Sequence, residues 1–179
     1  DVASPFDSKQ ECEQLLDAGH RLARETGTVR IGSWNIRWFP DGVPGRETKP
    51  GKAIDVDWLA CAISWMNVDA LALAEIKSAP YSESALARLT ARLDVLTGGK
   101  YRVLLDDCPA SSGQHVGWLV NVARLKVTAP TTHAALNPHA DACASQLRPG
   151  FGVDLAAPGG LDFHAVAVHL KSGVLPRDI

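Results

Sequence analysis

Three polar side chains of different chemistry close three apolar runs. Asn35 ends VRIGSWN, Glu75 ends DALALAE and His169 ends LDFHAVAVH. Carboxylate and amide oxygens are hard ligands suited to Mg²⁺ or Ca²⁺, whereas a zinc centre would call for more histidine or cysteine. A hard ion held by one carboxylate keeps waters and takes its remaining ligands from a phosphate. Phosphoester hydrolysis is the chemistry that suits this trio. Taken singly, the asparagine reads as turn chemistry, the glutamate as a solvated strand edge and the histidine as a hydrogen-bonded structural residue. The same construction occurring three times is what points to a site.

Positioning such a trio requires the strands to end together. Ser8 and Glu11 have capping-box spacing, and Leu15, Leu16, Ala18, Leu22 and Ala23 continue at helical intervals, which predicts one amphipathic helix as far as Gly27. The strand TVRIGSWNI, a Pro/Gly-rich loop, the helix DVDWLACAISWM, the strand DALALAEI and the helix SESALARLTARLDVL follow, a β-α-β-α series. A helical crossover makes the first two strands parallel, so Asn35 and Glu75 share the carboxyl edge, where open α/β sheets bind ligands. The second half reads as short antiparallel strands: YRVLL, HVGWLVNV, RLKVTAP and LDFHAVAVHL. Both alternating faces of the last are apolar, Leu161, Phe163, Ala165 and Ala167 on one and Val166, Val168 and Leu170 on the other, which predicts cover on both sides.

The chain has 179 residues, 46% hydrophobic and 21% charged, with a net charge of -2, within the range of one soluble domain. That charge excludes a strongly basic surface for sequence-independent nucleic-acid binding, though not a local basic groove. No stretch approaches the roughly 18 apolar residues of a membrane helix. The chain opens on DVASPFDSKQEC without methionine or signal peptide, as expected of a trimmed product. Cys12, Cys61, Cys108 and Cys143 lack zinc-site spacing and favour two disulfides, with Cys12–Cys61 and Cys108–Cys143 the expected pairs among three pairings, and a secreted or periplasmic location.

The segments IGSWNIRW, DALALAEIKS, GWLVNVARLKV and FHAVAVHLKSG match, in order and spacing, successive motifs of the endonuclease/exonuclease/phosphatase family. The resemblance runs from Val29 to Gly173. It implies a deoxyribonuclease I-like fold, an α/β/β/α sandwich of which this chain supplies about half: a mixed sheet with helices on its outer face, completed by a second segment. Residues 29–179 would form the amino-terminal half of that domain and residues 1–28 a helical extension outside it. The resemblance also implies roles. Glu75 would be the metal ligand, with Mg²⁺ or Mn²⁺ expected and Ca²⁺ an alternative. Asn35 would contact the metal, water and phosphate network, and His169 would stabilise the charge developing on the phosphate. Arg148, in LRPGF, would contact phosphate.

The family's usual glutamine before the glutamate is Ala74 here, which removes a group that orients Glu75. The family's later Asp-x-Asn and Asp-His motifs have no counterpart after HLKSGVLPRDI. The expectation is therefore a carboxyl-terminal half on a separate or cleaved chain that carries the general base. His115, His133, His139 and His164 show no carboxylate partner at recognisable spacing and are expected to be structural or surface residues. Trp34, Trp38 and Phe39 flank the site and offer stacking surfaces to a base, or serve as core anchors. A nuclease acting on DNA or RNA is the leading expectation; a phosphatase of lipid or small phosphoesters and a catalytically silent module of the same fold are its rivals.

Overall fold

The computed structural model describes residues 4–45, 47–49, 53–108, 113–128, 130–136, 143 and 148–170. Helix α1 (Lys9–Asp17) is capped by Ser8, whose hydroxyl accepts the Glu11 N–H. It stops ten residues before the expected Gly27. Gly19 takes φ 78, the Gly19 N–H donates to the Leu16 carbonyl, and the His20 N–H donates to that of Leu15. This Schellman ending satisfies the last carbonyls and turns the chain away. Leu22 is consequently not helical; its N–H donates to the Trp65 carbonyl. Helical spacing alone did not register the glycine between the two apolar groups.

The first sheet has the order β1-β2-β4-β3, formed by β1 (Ile31–Phe39), β2 (Ala70–Lys77), β3 (Tyr101–Leu105) and β4 (Gln114–Asn121). β1 and β2 are parallel, with Asn35 opposite Ala74, and β4 runs antiparallel to both β2 and β3. The sheet is mixed, as expected. Helices α2 (Val56–Met66) and α3 (Glu83–Thr97) lie on one face. Along β2 the side chains alternate by size. Leu71 and Leu73 join Leu59 and Ile63 of α2 and Leu89 and Leu93 of α3 in the outer core, whereas Ala70 and Ala72 face the other way.

On that inner face lies a second sheet, centred on β7 (Gly150–Ala157) and flanked by β5 (Lys126–Val127), β6 (Thr131–His133) and β8 (Leu161–Ala167), all antiparallel to β7. Phe151, Val153 and Leu155 of β7 pack on Val116, Trp118 and Val120 of β4, and the Trp118 indole donates to the Phe151 carbonyl at 2.9 Å. The result is three layers, α/β/β. β6 and β7 were not legible as strands. β8 is covered on one face only: Phe163, Ala165 and Ala167 pack inward, while Val166, Val168 and Leu170 are 37%, 49% and 75% exposed. The expected double cover is absent among the described residues.

Both expected disulfides are present. Cys12–Cys61 fastens α1 to α2, and Cys108–Cys143 ties the segment after β3 to the one before β7. The amino-terminal segment also docks through the Trp58 indole on the Pro5 carbonyl and through edge-on contacts of Phe6 with Trp34 and Trp65. Among the described residues no helix is long and apolar enough to cross a membrane.

Candidate active site

The parallel pairing of β1 and β2 brings Asn35 and Glu75 to one strand edge, and both strands are irregular there. The register shifts between Asn35 and Phe39 on β1 and between Leu73 and Ile76 on β2. Glu75 itself has φ 64, and Arg37 and Trp38 have φ 45 and 49. Left-handed backbone is costly for residues with a Cβ and persists where the surroundings over-determine it, which is commonest at functional sites. The irregularity turns the Glu75 side chain toward Asn35.

Asn35 donates from Nδ2 to Glu75 Oε1 at 2.6 Å, and its Oδ1 accepts the Arg37 N–H at 2.9 Å. Both ends of the amide are thereby fixed, and so is its orientation. His169, two residues beyond β8, brings Nε2 to 3.6 Å from the same Oε1, an electrostatic contact longer than a hydrogen bond. The Glu75 side chain is 18% exposed and that of His169 20%. Among the described residues Oε2 of Glu75 accepts no hydrogen bond. Beneath the trio a cleft of about 160 Å³ opens between the sheets, lined by Ser33, Ala72, Ala74, Val116 and Ala167. Ala74, where the family motif has glutamine, contributes a wall of this cleft.

The oxygen donors here fit a hard divalent ion. Oε2 of Glu75 keeps its lone pairs among the described residues, and the Asn35 carbonyl oxygen, at the wall of the cleft, keeps one after binding Arg37. Among the described residues no three histidine, cysteine or acidic groups cluster as a metal cage, so such an ion would rest largely on water and substrate.

Arg148 stands apart from the trio. It is buried, its Nε donates to the Gln114 carbonyl at 2.7 Å, and Gln114 pairs with Lys77 on the next strand. Burial pulls its guanidinium below the usual arginine range, partly offset by the Asp106 carboxylate facing it. Phe39 is fully buried and serves as a core anchor; Trp34 leans on Phe6 on the helix side of β1.

Several polar partners escaped the sequence reading. Lys77, two residues past Glu75, is fully buried, with Nζ 2.7 Å from Asp41 Oδ1 and 2.7 Å from the Glu47 carbonyl. Asp41 also accepts the Val43 and Lys49 N–H groups. Burial raises the Asp41 carboxyl, but the hydrogen bonds from Lys77 and from these backbone donors, with the Lys77 charge, outweigh it and hold the group below its ordinary value. This clamp fixes the loop after β1 against the end of β2. Two histidines expected to lack carboxylate partners have them: His115 Nδ1 lies 2.6 Å from Asp106 and His164 Nδ1 2.6 Å from Asp154. His139 lies outside the described residues. Asp106 was findable, since it closes the apolar run YRVLL as Glu75 closes its own.

No family model and no curated protein matches the sequence. Solved structures do match, among them the human Nocturnin catalytic domain with bound sulfate anion, at 15% identity and a TM-score of 0.48, covering 81% of this chain and 51% of that one. The chain thus spans about half the length of that domain.

Proposed function

We propose that the chain carries the metal-binding part of a phosphoester hydrolase of the endonuclease/exonuclease/phosphatase type, acting on DNA or RNA. The observation that carries this reading is the meeting of Asn35 and His169 on one oxygen of a backbone-strained Glu75, whose other oxygen accepts no hydrogen bond among the described residues. Glu75 holds Mg²⁺ or Mn²⁺, with Asn35 adjacent. Such an ion, when bound, neutralises phosphate charge and makes a water more acidic. Asn35 keeps the Glu75 carboxylate in one orientation. His169 donates from its imidazole to a phosphate oxygen as charge accumulates there, the kind of stabilisation that usually dominates such catalysis. Arg148, held through Nε by the Gln114 carbonyl on the strand beside Lys77, is the residue proposed to contact a substrate phosphate.

The general base belongs to a further segment that extends the second sheet. Three observations support this. β8 pairs only with β7 among the described residues, Val166 and Val168 are exposed, and on β1 the inward residues Ile31, Ser33 and Asn35 are exposed beside the cleft. A strand added along β8 would lie over the β1 residues, and an element on the outer face would cover Val166 and Val168. The two disulfides favour an oxidising compartment, secreted or periplasmic.

Parallel assays of the native protein on plasmid DNA, structured RNA, phosphoinositide and p-nitrophenyl phosphate in Mg²⁺ test the substrate class. Cleavage confined to the polynucleotides is expected; turnover confined to lipid or monoester would overturn the nuclease reading.

A further inference from the structure

On the outer face of the second sheet, opposite the core, β7 presents Gly150, Gly152 and Asp154 between its inward residues Phe151, Val153 and Leu155. Glycine inside a strand is unfavourable and commonly marks a close approach. Here the approach is made by two imidazoles. His133 on β6 pairs opposite Gly150 and His164 on β8 opposite Asp154, so the two lie diagonally across the central strand and reach over Gly152. Their Nε2 atoms are 2.8 Å apart. A Cβ at Gly152 would come within 3.0 Å of both nitrogens. Only glycine leaves this space open.

The second nitrogen of His164 is also committed. Nδ1 donates to Asp154 Oδ1 at 2.6 Å, which leaves Nε2 with its lone pair pointing over Gly152. A carboxylate behind a histidine fixes the ring and its tautomer, as it does for imidazoles that bind metal. The His133 Nε2–H then donates to that lone pair. The tautomer with hydrogen on Nδ1 would give His133 a converging lone pair of its own.

We propose that His133 and His164 bind a borderline divalent transition ion, Zn²⁺ being the probe of choice, across Gly152, with Asp154 as the residue that orients His164. Imidazole suits zinc, copper and nickel, unlike the oxygen donors at Glu75. A tetrahedral ion bonded at about 2.0–2.1 Å sets two nitrogens roughly 3.3 Å apart, so the rings need separate by only about half an ångström. The His164 side chain is 37% exposed, and water fills the rest of the ion's shell. The site is distinct from the Glu75 cleft: His164 faces outward from the second sheet, whereas His169 turns to Glu75.

Calorimetric titration of the full chain with Zn²⁺, and Co²⁺ absorption as a spectroscopic check, test this. One ion per chain is expected, weakened at least tenfold by His133→Ala or His164→Ala, ten- to hundredfold by Asp154→Asn, and unaffected by Glu75→Gln. Gly152→Ala should block binding, and circular dichroism of each variant separates lost ligation from lost fold. Absence of Zn²⁺ binding up to millimolar concentration overturns the proposal. So does binding that survives the double histidine variant, or that vanishes with Glu75→Gln alone.

Discussion

Asn35 and Glu75 come from different strands and meet through one short hydrogen bond, Nδ2 to Oε1 at 2.6 Å, while the Arg37 N–H holds the far end of the amide. The asparagine is thereby a positioning device for the carboxylate. Asn35→Ala should lower kcat ten- to hundredfold, the usual cost of losing a partner that orients a metal ligand, and should raise the Mg²⁺ concentration needed for half-maximal rate. A steady-state titration with Mg²⁺ checks this; unchanged metal dependence would count against the positioning role.

Glu75 occupies left-handed backbone at φ 64, a conformation glycine adopts without penalty. Glu75→Gly should therefore gain about 1 kcal/mol of stability in urea unfolding while losing activity. Glu75→Gln should lose activity with no such gain. A destabilised glycine variant would mean that the strain is absent.

The Asp41–Lys77 pair is buried from both sides, so removing one charge strands the other. Lys77→Met should cost about 3–5 kcal/mol, and the double change with Asp41→Leu should recover part of it. Because the folded Asp41 carboxyl titrates below its ordinary value, the unfolded chain binds more protons in acid. The pair's contribution is complete above about pH 4 and is lost as pH falls toward the lowered folded value. The difference in urea midpoint between wild type and Asp41→Asn should be smaller at pH 3 than at pH 7.

Cys12–Cys61 closes a loop with a separation of 49 residues. Chain entropy assigns such a link about 4 kcal/mol, so a Cys12→Ser/Cys61→Ser variant should lose stability on that scale and free α1 from α2. Hydrogen exchange should report the loss first in residues 9–17. Equal protection there in both forms would assign the docking to Phe6, Trp58 and their contacts instead.

How much of this was legible depended on whether the signal was local. The meeting of Asn35 and Glu75 followed from one helical crossover, because a parallel pair has its carboxyl ends on one edge. The Leu/Ala alternation that separates the two faces of β2 was present in the sequence too, but the run reads there only as apolar. Strand β7 was hidden because Gly150 and Gly152 depress strand propensity, and their reason lies outside the strand, in Leu136 and Val166 for Gly150 and in His133 and His164 for Gly152. The helix expected through Leu22 failed for a local reason, the left-handed Gly19, which periodicity overlooks. The pairing of Lys77 with Asp41 depends on a loop folding back, and that of His115 with Asp106 on the register of β3 against β4, which spacing along the chain does not carry.

The most direct measurement is cleavage of plasmid DNA and structured RNA by the native protein, with every chain it carries, with and without Mg²⁺, beside its Glu75→Ala variant. Metal-dependent cutting reduced at least a thousandfold by the substitution is expected if Glu75 holds the ion, roughly the scale of several kcal/mol of lost transition-state stabilisation. Cutting at equal rates by both proteins, or no cutting of any phosphodiester in Mg²⁺ or Mn²⁺, would contradict the assignment.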